Sequence, residues 1–279
     1  MMKLMSIALA SMLVTATSAY AGDFVNLRDD LAALSVANGG LVSGAQNPNA
    51  DALYLNATGY TWVDGYSTGD NDLVASSISY SSKSGNYVLT LLDWQVTTNV
   101  PLLSGVPQAT VYDFVYQDSR DGALVFGTRY INLVDNNQEV NFLYRYGFEG
   151  FSASSAWLFL SDNDLRMYET GRTDDYSYLR TVDFDADAVR QKSDISVSEG
   201  NPRSGLFLVK TDATEYVLGD KAIGYYQAGE EGQTIVGGYL GGFVPTVAAV
   251  PEPSEYALML LGLGVVGFVA ARRKKQNLA

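Results

Sequence analysis

The sequence contains neither cysteine nor histidine. Without cysteine, the chain can form no disulfide, no thiolate nucleophile and no cysteine-based zinc site. Without histidine, it has no Ser-His-Asp triad, no histidine metal centre and no side chain that ordinarily titrates near neutral pH. The S-x-x-K motif and the P-loop are also missing. Any enzymatic activity would therefore depend on carboxylates, Tyr, Lys, Ser or Thr.

Positive charge is scarce, with 18 Lys and Arg against 31 Asp and Glu and a net charge of −13. Five of the cations, Lys3 and the four at 272–275, lie in the terminal segments. Residues 22–251 keep 13 basic and 29 acidic residues, a net charge of −16. Because phosphate binding needs a basic face, these numbers argue against a nucleic-acid partner. An acidic surface can attract basic surfaces, cationic polysaccharides or divalent cations, or can simply keep a protein soluble.

The N-terminus reads MMKLMSIALASMLVTATSAYAGDF. One cation, Lys3, precedes an apolar run over 4–14, and a polar segment then ends at Ala19-Tyr20-Ala21. Small side chains at Ala19 and Ala21 fit the pocket of signal peptidase. The pattern predicts a signal peptide over residues 1–21, cleaved after Ala21, with a buried N-terminal helix as the alternative.

The C-terminus contains 16 uncharged residues, 256–271, followed by a basic cluster. A helix of that length spans about 24 Å, slightly less than the roughly 30 Å of a bilayer core. We predict a transmembrane helix over 256–271 and a basic cytoplasmic tail over 272–279, because cations stay on the cytoplasmic side. The cations that stop the helix are Arg272, Arg273, Lys274 and Lys275.

A proline-rich linker is expected over 245–255, where Pro245, Pro251 and Pro253 disfavour both helix and sheet. Pro251-Glu252-Pro253-Ser254, the apolar helix and the basic terminus together resemble the PEP-CTERM sorting signal of Gram-negative bacteria. The resemblance implies recognition by exosortase and removal of the hydrophobic tail. It also implies a membrane-anchored precursor in the inner membrane, then delivery to the cell surface or extracellular matrix, in a setting of exopolysaccharide and biofilm. An ordinary membrane anchor is the alternative, but it gives no role to Pro-Glu-Pro.

The exported region, 22–244, has a dominant period of two, which is typical of strands. The segment ATVYDFVYQD alternates Val111, Asp113 and Val115 with Tyr112, Phe114 and Tyr116. Turn clusters separate it from other runs rich in aromatic and β-branched residues, which we also expect to be strands. These runs are 86–98, 123–134, 139–148, 204–210, 221–229 and 233–243. We predict an all-β fold, a single β-sandwich or jelly-roll-like domain.

Two segments of the exported region depart from this period. The spacing of Phe24, Leu27, Leu31 and Leu34 predicts a short N-terminal helix, or else a loop ordered only against the sheet. Alternation is also lost over 183–192, where a helix is a second expectation.

Aromatic residues are plentiful, with 19 Tyr and 3 Trp. Tyr60 and Trp62 share a strand face beside turn residues, and with Tyr66 they are the candidate carbohydrate platform. Tyr is also a favoured strand residue, so a purely structural role is the alternative. Asp183, Asp185 and Asp187 offer oxygen ligands at alternate positions, which could suit Ca²⁺. Ala188 and Asp194 stand where an EF-hand loop requires Gly and Glu, and no other cofactor is expected.

The sequence therefore predicts an exported, non-catalytic surface or matrix protein sorted through its C-terminal signal. A carbohydrate-binding module that uses aromatic side chains on the sheet is one alternative. A glycan-degrading enzyme that uses two carboxylates is another.

Overall fold

The computed structural model describes residues 22–27, 42–43, 53–102, 106–134, 139–173, 185–227 and 236–247, with six positions near the C-terminus (259, 261–263 and 265–266). These residues form two sheets in which every pair of neighbouring strands is antiparallel. The all-β sandwich prediction is confirmed at this level.

The large sheet has eight strands in the order β1-β9-β12-β7-β6-β5-β4-β3. Strands β3 to β7 form a meander, and later strands add to its β7 edge. The bounds are β1 Val25–Leu27, β3 Asn56–Trp62, β4 Ala75–Ser82, β5 Gly85–Pro101, β6 Pro107–Asp118, β7 Leu124–Asn132, β9 Ala153–Leu158 and β12 Leu206–Lys210.

The small sheet has six strands in the order β14-β13-β8-β11-β10-β2. Its bounds are β2 Val42–Ser43, β8 Val140–Arg145, β10 Glu169–Gly171, β11 Val189–Ile195, β13 Glu215–Gln227 and β14 Val236–Thr246.

The large sheet curls until its two sides meet. Tyr54, just before β3, forms a parallel bridge with Trp157 of β9, and the Leu55 amide donates to the Trp157 carbonyl over 2.7 Å. The Tyr60 hydroxyl donates to the carbonyl of Phe159 at 2.5 Å. The curl encloses an apolar core that includes Tyr112, Phe114 and Tyr116 of β6.

The opposite face of the large sheet packs against the small sheet. Val111 of β6 joins Leu143 and Ile223 of the small sheet in one cluster, and Val115 joins Phe243 in another. Strand β6 is therefore buried on both faces, which explains why both halves of its alternating pattern are largely apolar.

A buried ion pair connects the two sheets. Arg145 of β8 donates to Asp113 of β6 at 2.5 Å, and both side chains are at most 3% exposed. Asp113 also accepts the Phe243 amide at 2.7 Å, and Arg145 donates to the Phe243 carbonyl at 2.7 Å. A Cβ on Gly242 would lie 2.4 Å from the Asp113 carboxylate, so only glycine allows β14 to approach this closely. Asp113 and Arg145 thus fix edge strand β14 to both sheets.

The predicted N-terminal helix is wrong over residues 25–27, which form strand β1. Val25 and Leu27 pair with Ser155 and Ala153 of β9, and Leu27 is 2% exposed. The free edge of β9 supplies backbone partners that local helical spacing cannot reveal, and residues 28–41 lie outside the described residues. Over 183–192, positions 189–192 belong to strand β11 between β10 and β8, so a helix there is also wrong.

Strand β14 runs two residues into the segment predicted as linker, through Pro245 and Thr246. Pro245 is tolerated because β14 is an edge strand, where one side of the backbone needs no ladder partner. The described positions near the C-terminus (259, 261–263 and 265–266) are helical and exposed. Within the part of the chain that the structure describes, no helix is both long enough and apolar enough to cross a bilayer.

Candidate functional site

The three aromatic residues of the predicted carbohydrate platform are each half-buried against the core that the curled sheet encloses. The rings of Tyr60 and Trp62 stack with centroids 5.1 Å apart and planes 16° apart. Tyr66 instead meets Trp94 edge to face, at 4.7 Å. The structure therefore brings Tyr60 and Trp62 together and places Tyr66 in a separate contact.

The Tyr60 hydroxyl has a structural partner. It donates to the Phe159 carbonyl, and burial, with smaller effects from Tyr54 and Asp164, raises the pKa of Tyr60 well above its ordinary value. A ring that stacks on its neighbour and closes the curl presents less free surface than an isolated platform would. The contacts of Tyr60 favour a packing role, and the carbohydrate platform stays a prediction.

A second group of aromatic residues lies on the face of the small sheet that points away from the large one. Leu143 and Arg145 of β8 turn toward the large sheet, so strand alternation sends their neighbours the other way. Phe142, Tyr144 and Tyr226 form a cluster there, with Tyr146 packed against it and Tyr239 at 5.6 Å from Tyr146. We call these five residues the outer aromatic cluster.

The outer aromatic cluster carries cations at both ends. The Arg190 guanidinium lies 4.8 Å from the Phe142 ring, and the Lys221 ammonium lies 5.1 Å from the Tyr239 ring. Tyr239 is 46% exposed. Sequence reasoning missed this cluster as a site, although Phe142, Tyr144 and Tyr146 alternate within one strand run. The pairing of β8, β13 and β14 that completes it depends on tertiary structure.

One pentapeptide, Gly65-Tyr66-Ser67-Thr68-Gly69, has the spacing of the G-x-S-x-G nucleophile motif. In hydrolases this motif forms a sharp turn from a strand into a helix. Here it lies in the connection between strands β3 and β4, and Ser67 is exposed. The chain also has no histidine to act as its base. The arrangement does not match a serine hydrolase site.

An open depression of about 390 Å³ lies beside the β6–β7 turn, and its lining includes two carboxylates, Asp121 and Asp212, together with Lys210. We call it the acidic depression. Lys210 pairs with Asp118 at 2.6 Å and with Asp121 at 2.8 Å. Burial opposes the ionisation of Asp121, but Lys210 and the Ala123 amide hold its pKa below the ordinary value. Burial also tends to raise the pKa of Asp212, but hydrogen bonds from the Ser152 amide and side chain help to hold it below the ordinary value. A general acid needs a raised pKa, so neither carboxylate suits that role.

Two members of the predicted Ca²⁺ cluster accept hydrogen bonds from backbone amides. Asp185 accepts the amides of Asp187 and Ala188 at 2.8 and 3.2 Å, and Asp187 accepts the Gly147 amide at 2.9 Å. Asp183 lies outside the described residues. Within those residues, no group of three or more acidic side chains is arranged to hold a metal ion. The Ca²⁺ site stays a prediction.

The residues predicted for sorting and cleavage all lie outside the described residues, and they are Ala19, Ala21, Pro251, Glu252, Pro253, Ser254, Arg272, Arg273, Lys274 and Lys275. For the C-terminal residues of this set, the structure shows where the described domain ends, because Val247 follows β14, the last strand among the described residues.

Comparison with known proteins bears on this C-terminal segment. The family model of the PEP-CTERM protein-sorting motif matches residues 249–274. No curated protein and no solved structure matches the chain. The match begins three residues after strand β14 ends at Thr246. The chain therefore carries a C-terminal PEP-CTERM protein-sorting motif, which supports an exported protein sorted by exosortase.

Proposed function

We propose that the protein is a non-catalytic component of the bacterial cell surface or extracellular matrix. It is delivered as a membrane-anchored precursor whose two terminal segments, 1–21 and the apolar tail, are removed in turn. The observation that carries this proposal is the sorting motif at 249–274, which follows directly on the folded domain. In this role the β-sandwich is the exported domain, and the motif directs its sorting.

Intact-mass measurement of the protein recovered from the cells that make it tests the proposal. We expect a mature form that begins at Gly22 and lacks residues 256–279. A variant with Pro251-Glu252-Pro253 replaced by three alanines should keep its tail, while the control Ala248→Ser, just outside the matched motif, should be processed normally. A mature native protein that retains residues 256–279 would contradict exosortase processing.

The non-catalytic part of the proposal has a physical basis in the described residues. The acidic depression holds carboxylates of lowered pKa, and the buried Asp118 is paired with Lys210. Lys210 stabilises the ionised form of Asp121, and the Ser152 amide stabilises that of Asp212, whereas a general acid must hold a proton. Reducing-sugar release from the polysaccharide of the producing cells would contradict this part of the proposal.

Carbohydrate binding is the second candidate function, and the outer aromatic cluster favours it. Tyr239 offers an exposed ring on a sheet edge, and Lys221 beside it can donate hydrogen bonds. Affinity electrophoresis in polysaccharide gels compares Tyr239→Ala with Trp62→Ala. Loss of retardation in Tyr239→Ala alone would assign binding to the outer aromatic cluster. Loss in Trp62→Ala alone would assign it to the predicted platform, and unchanged migration of both variants would remove the candidate.

A further inference from the structure

The end of the domain from which the chain leaves toward its sorting motif carries several exposed apolar side chains. Glu215 of β13 pairs with Thr246 of β14, and Leu218 pairs with Phe243. Val217 and Leu218 are consecutive, yet they are 49% and 67% exposed. A strand that packs one face on a core buries alternate residues, so this part of β13 presents both faces to solvent. Val247, next to Thr246, is 72% exposed.

These three exposed apolar residues lie where β13 begins and β14 ends. We call Val217, Leu218 and Val247 the exit patch.

The chain length beyond the fold limits how far the exit patch can be from the membrane. Eight residues, 248–255, separate Val247 from the predicted transmembrane helix. Fully extended, they reach at most about 30 Å. In the anchored precursor, the exit patch therefore lies beside the point that the tether holds within about 30 Å of the predicted transmembrane helix.

We propose that in the precursor the exit patch rests on the lipid headgroup surface of the membrane that holds the tail. This inference depends on the membrane-anchored precursor of the proposed function. Three apolar side chains give only weak membrane affinity, but the short tether keeps them at high local concentration near the lipid. Removal of the tail removes the tether, so the weak affinity of the exit patch no longer holds the mature domain at the membrane.

The charges around the exit patch select the kind of lipid. Asp93, Glu215 and Asp220 are exposed beside it, and Lys221 is the nearby exposed cation. Anionic lipids would repel this surface, because a negative membrane attracts basic segments. The exit patch therefore suits a zwitterionic, electrically neutral headgroup surface.

The absence of native cysteine makes a site-specific test direct. The full chain is reconstituted into phosphatidylcholine vesicles that contain a spin-labelled quenching lipid. Single-cysteine variants Leu218→Cys, Leu133→Cys and Leu263→Cys each carry an environment-sensitive fluorophore. Leu133 is the matched control, because it is 55% exposed and lies beyond β7. The Leu133 amide donates to the Gln108 carbonyl, and the Tyr225 hydroxyl, near the C-terminal end of β13, donates to the nearby Pro101 carbonyl. Leu133 therefore lies toward the end of β13 opposite to the exit patch. Leu263 reports on the anchor.

We expect lipid quenching and a blue-shifted emission at 218 and 263, with neither at 133. Replacing half of the phosphatidylcholine with phosphatidylglycerol should reduce quenching at 218 and leave 263 unchanged. Quenching at 263 while 218 behaves like 133 would overturn the exit patch and leave the anchor standing. No quenching at 263 would overturn the anchored precursor and this inference with it. Equal quenching at 218 and 133 would show that the domain has no preferred orientation, which also overturns the proposal.

Discussion

The buried pair of Asp113 and Arg145 makes a prediction that the two partners should behave differently when each is neutralised. Asp113→Asn keeps the shape of the side chain and an oxygen for the Phe243 amide, but leaves Arg145 charged and 1% exposed. Arg145→Met leaves the Asp113 carboxyl alone. Removing one partner of a buried ion pair costs about 3–5 kcal/mol of stability, because an uncompensated charge stays in the core. At neutral pH we expect both variants to lose about that much.

The response to pH should separate the two variants. Burial raises the pKa of Asp113, and Arg145 opposes that effect. Without Arg145 the carboxyl can take up a proton, so Arg145→Met should regain stability as the pH falls through the raised folded pKa. A carboxyl whose pKa is higher in the folded state than in the unfolded state binds its proton more tightly when the protein is folded. Its contribution to stability is therefore complete below the unfolded pKa and is lost as the pH rises through the folded pKa. Arg145 cannot lose its proton, so Asp113→Asn should show no such recovery.

Urea unfolding of the full chain in mild detergent, followed by tryptophan fluorescence at about pH 7.5 and about pH 5, measures these effects. The double variant Asp113→Asn/Arg145→Met contains no lone charge, so it should be more stable than Asp113→Asn and show little change with pH. A double variant no more stable than Asp113→Asn would refute the uncompensated-charge reasoning. So would an Arg145→Met variant without recovery at low pH.

Three further predictions concern packing, the N-terminal strand and the acidic depression. Gly242→Ala should lower the free energy of unfolding in urea by about 1–3 kcal/mol, because the new Cβ would meet the Asp113 carboxylate. Gly59→Ala should lower it much less, because there is open space around Gly59. Asp23→Ala should cost only about 0.2–1 kcal/mol, because its ion pair with Arg120 at 2.8 Å is partly exposed; a loss above about 2 kcal/mol would contradict this weak surface pair. Asp121 and Asp212 have lowered pKa values, so they should stabilise the fold above their unfolded pKa and lose that contribution as the pH falls through the folded value. Acid titration of Asp121→Asn/Asp212→Asn should be shallower than that of the native chain, and an identical titration would contradict the assignment.

The outcome for the strands shows how far local patterns carry. Alternation over 109–118 predicted β6 correctly, and the runs that gave β5, β7, β8, β12, β13 and β14 were also confirmed as strands. A period of two appears in the sequence because a strand presents its side chains to opposite faces, whatever its partners are. The N-terminal segment failed for the complementary reason. Residues 25–27 are held by the free edge of β9, a partner more than 120 positions away.

The candidate sites divide in the same way. Tyr60 and Trp62 were correctly placed on one strand face, but the curl of the large sheet brings Phe159 to the Tyr60 hydroxyl and makes that pair part of a packed seam. The outer aromatic cluster combines side chains from β8, β13 and β14. Its residues are up to 97 positions apart, from Phe142 to Tyr239, so no local spacing could reveal it.

The sequence by itself identified the sorting motif of this protein, because such a motif is a linear order of proline, apolar and basic residues that needs no tertiary partner. It also determined the all-β class, since strand alternation is a local property. Only the tertiary structure decided which aromatic residues meet, which charges are buried together and which apolar side chains remain exposed where β14 ends. Those outcomes depend on contacts between strands that are far apart in the sequence. Such contacts form only when the two sheets pack together, so local sequence patterns do not reveal them.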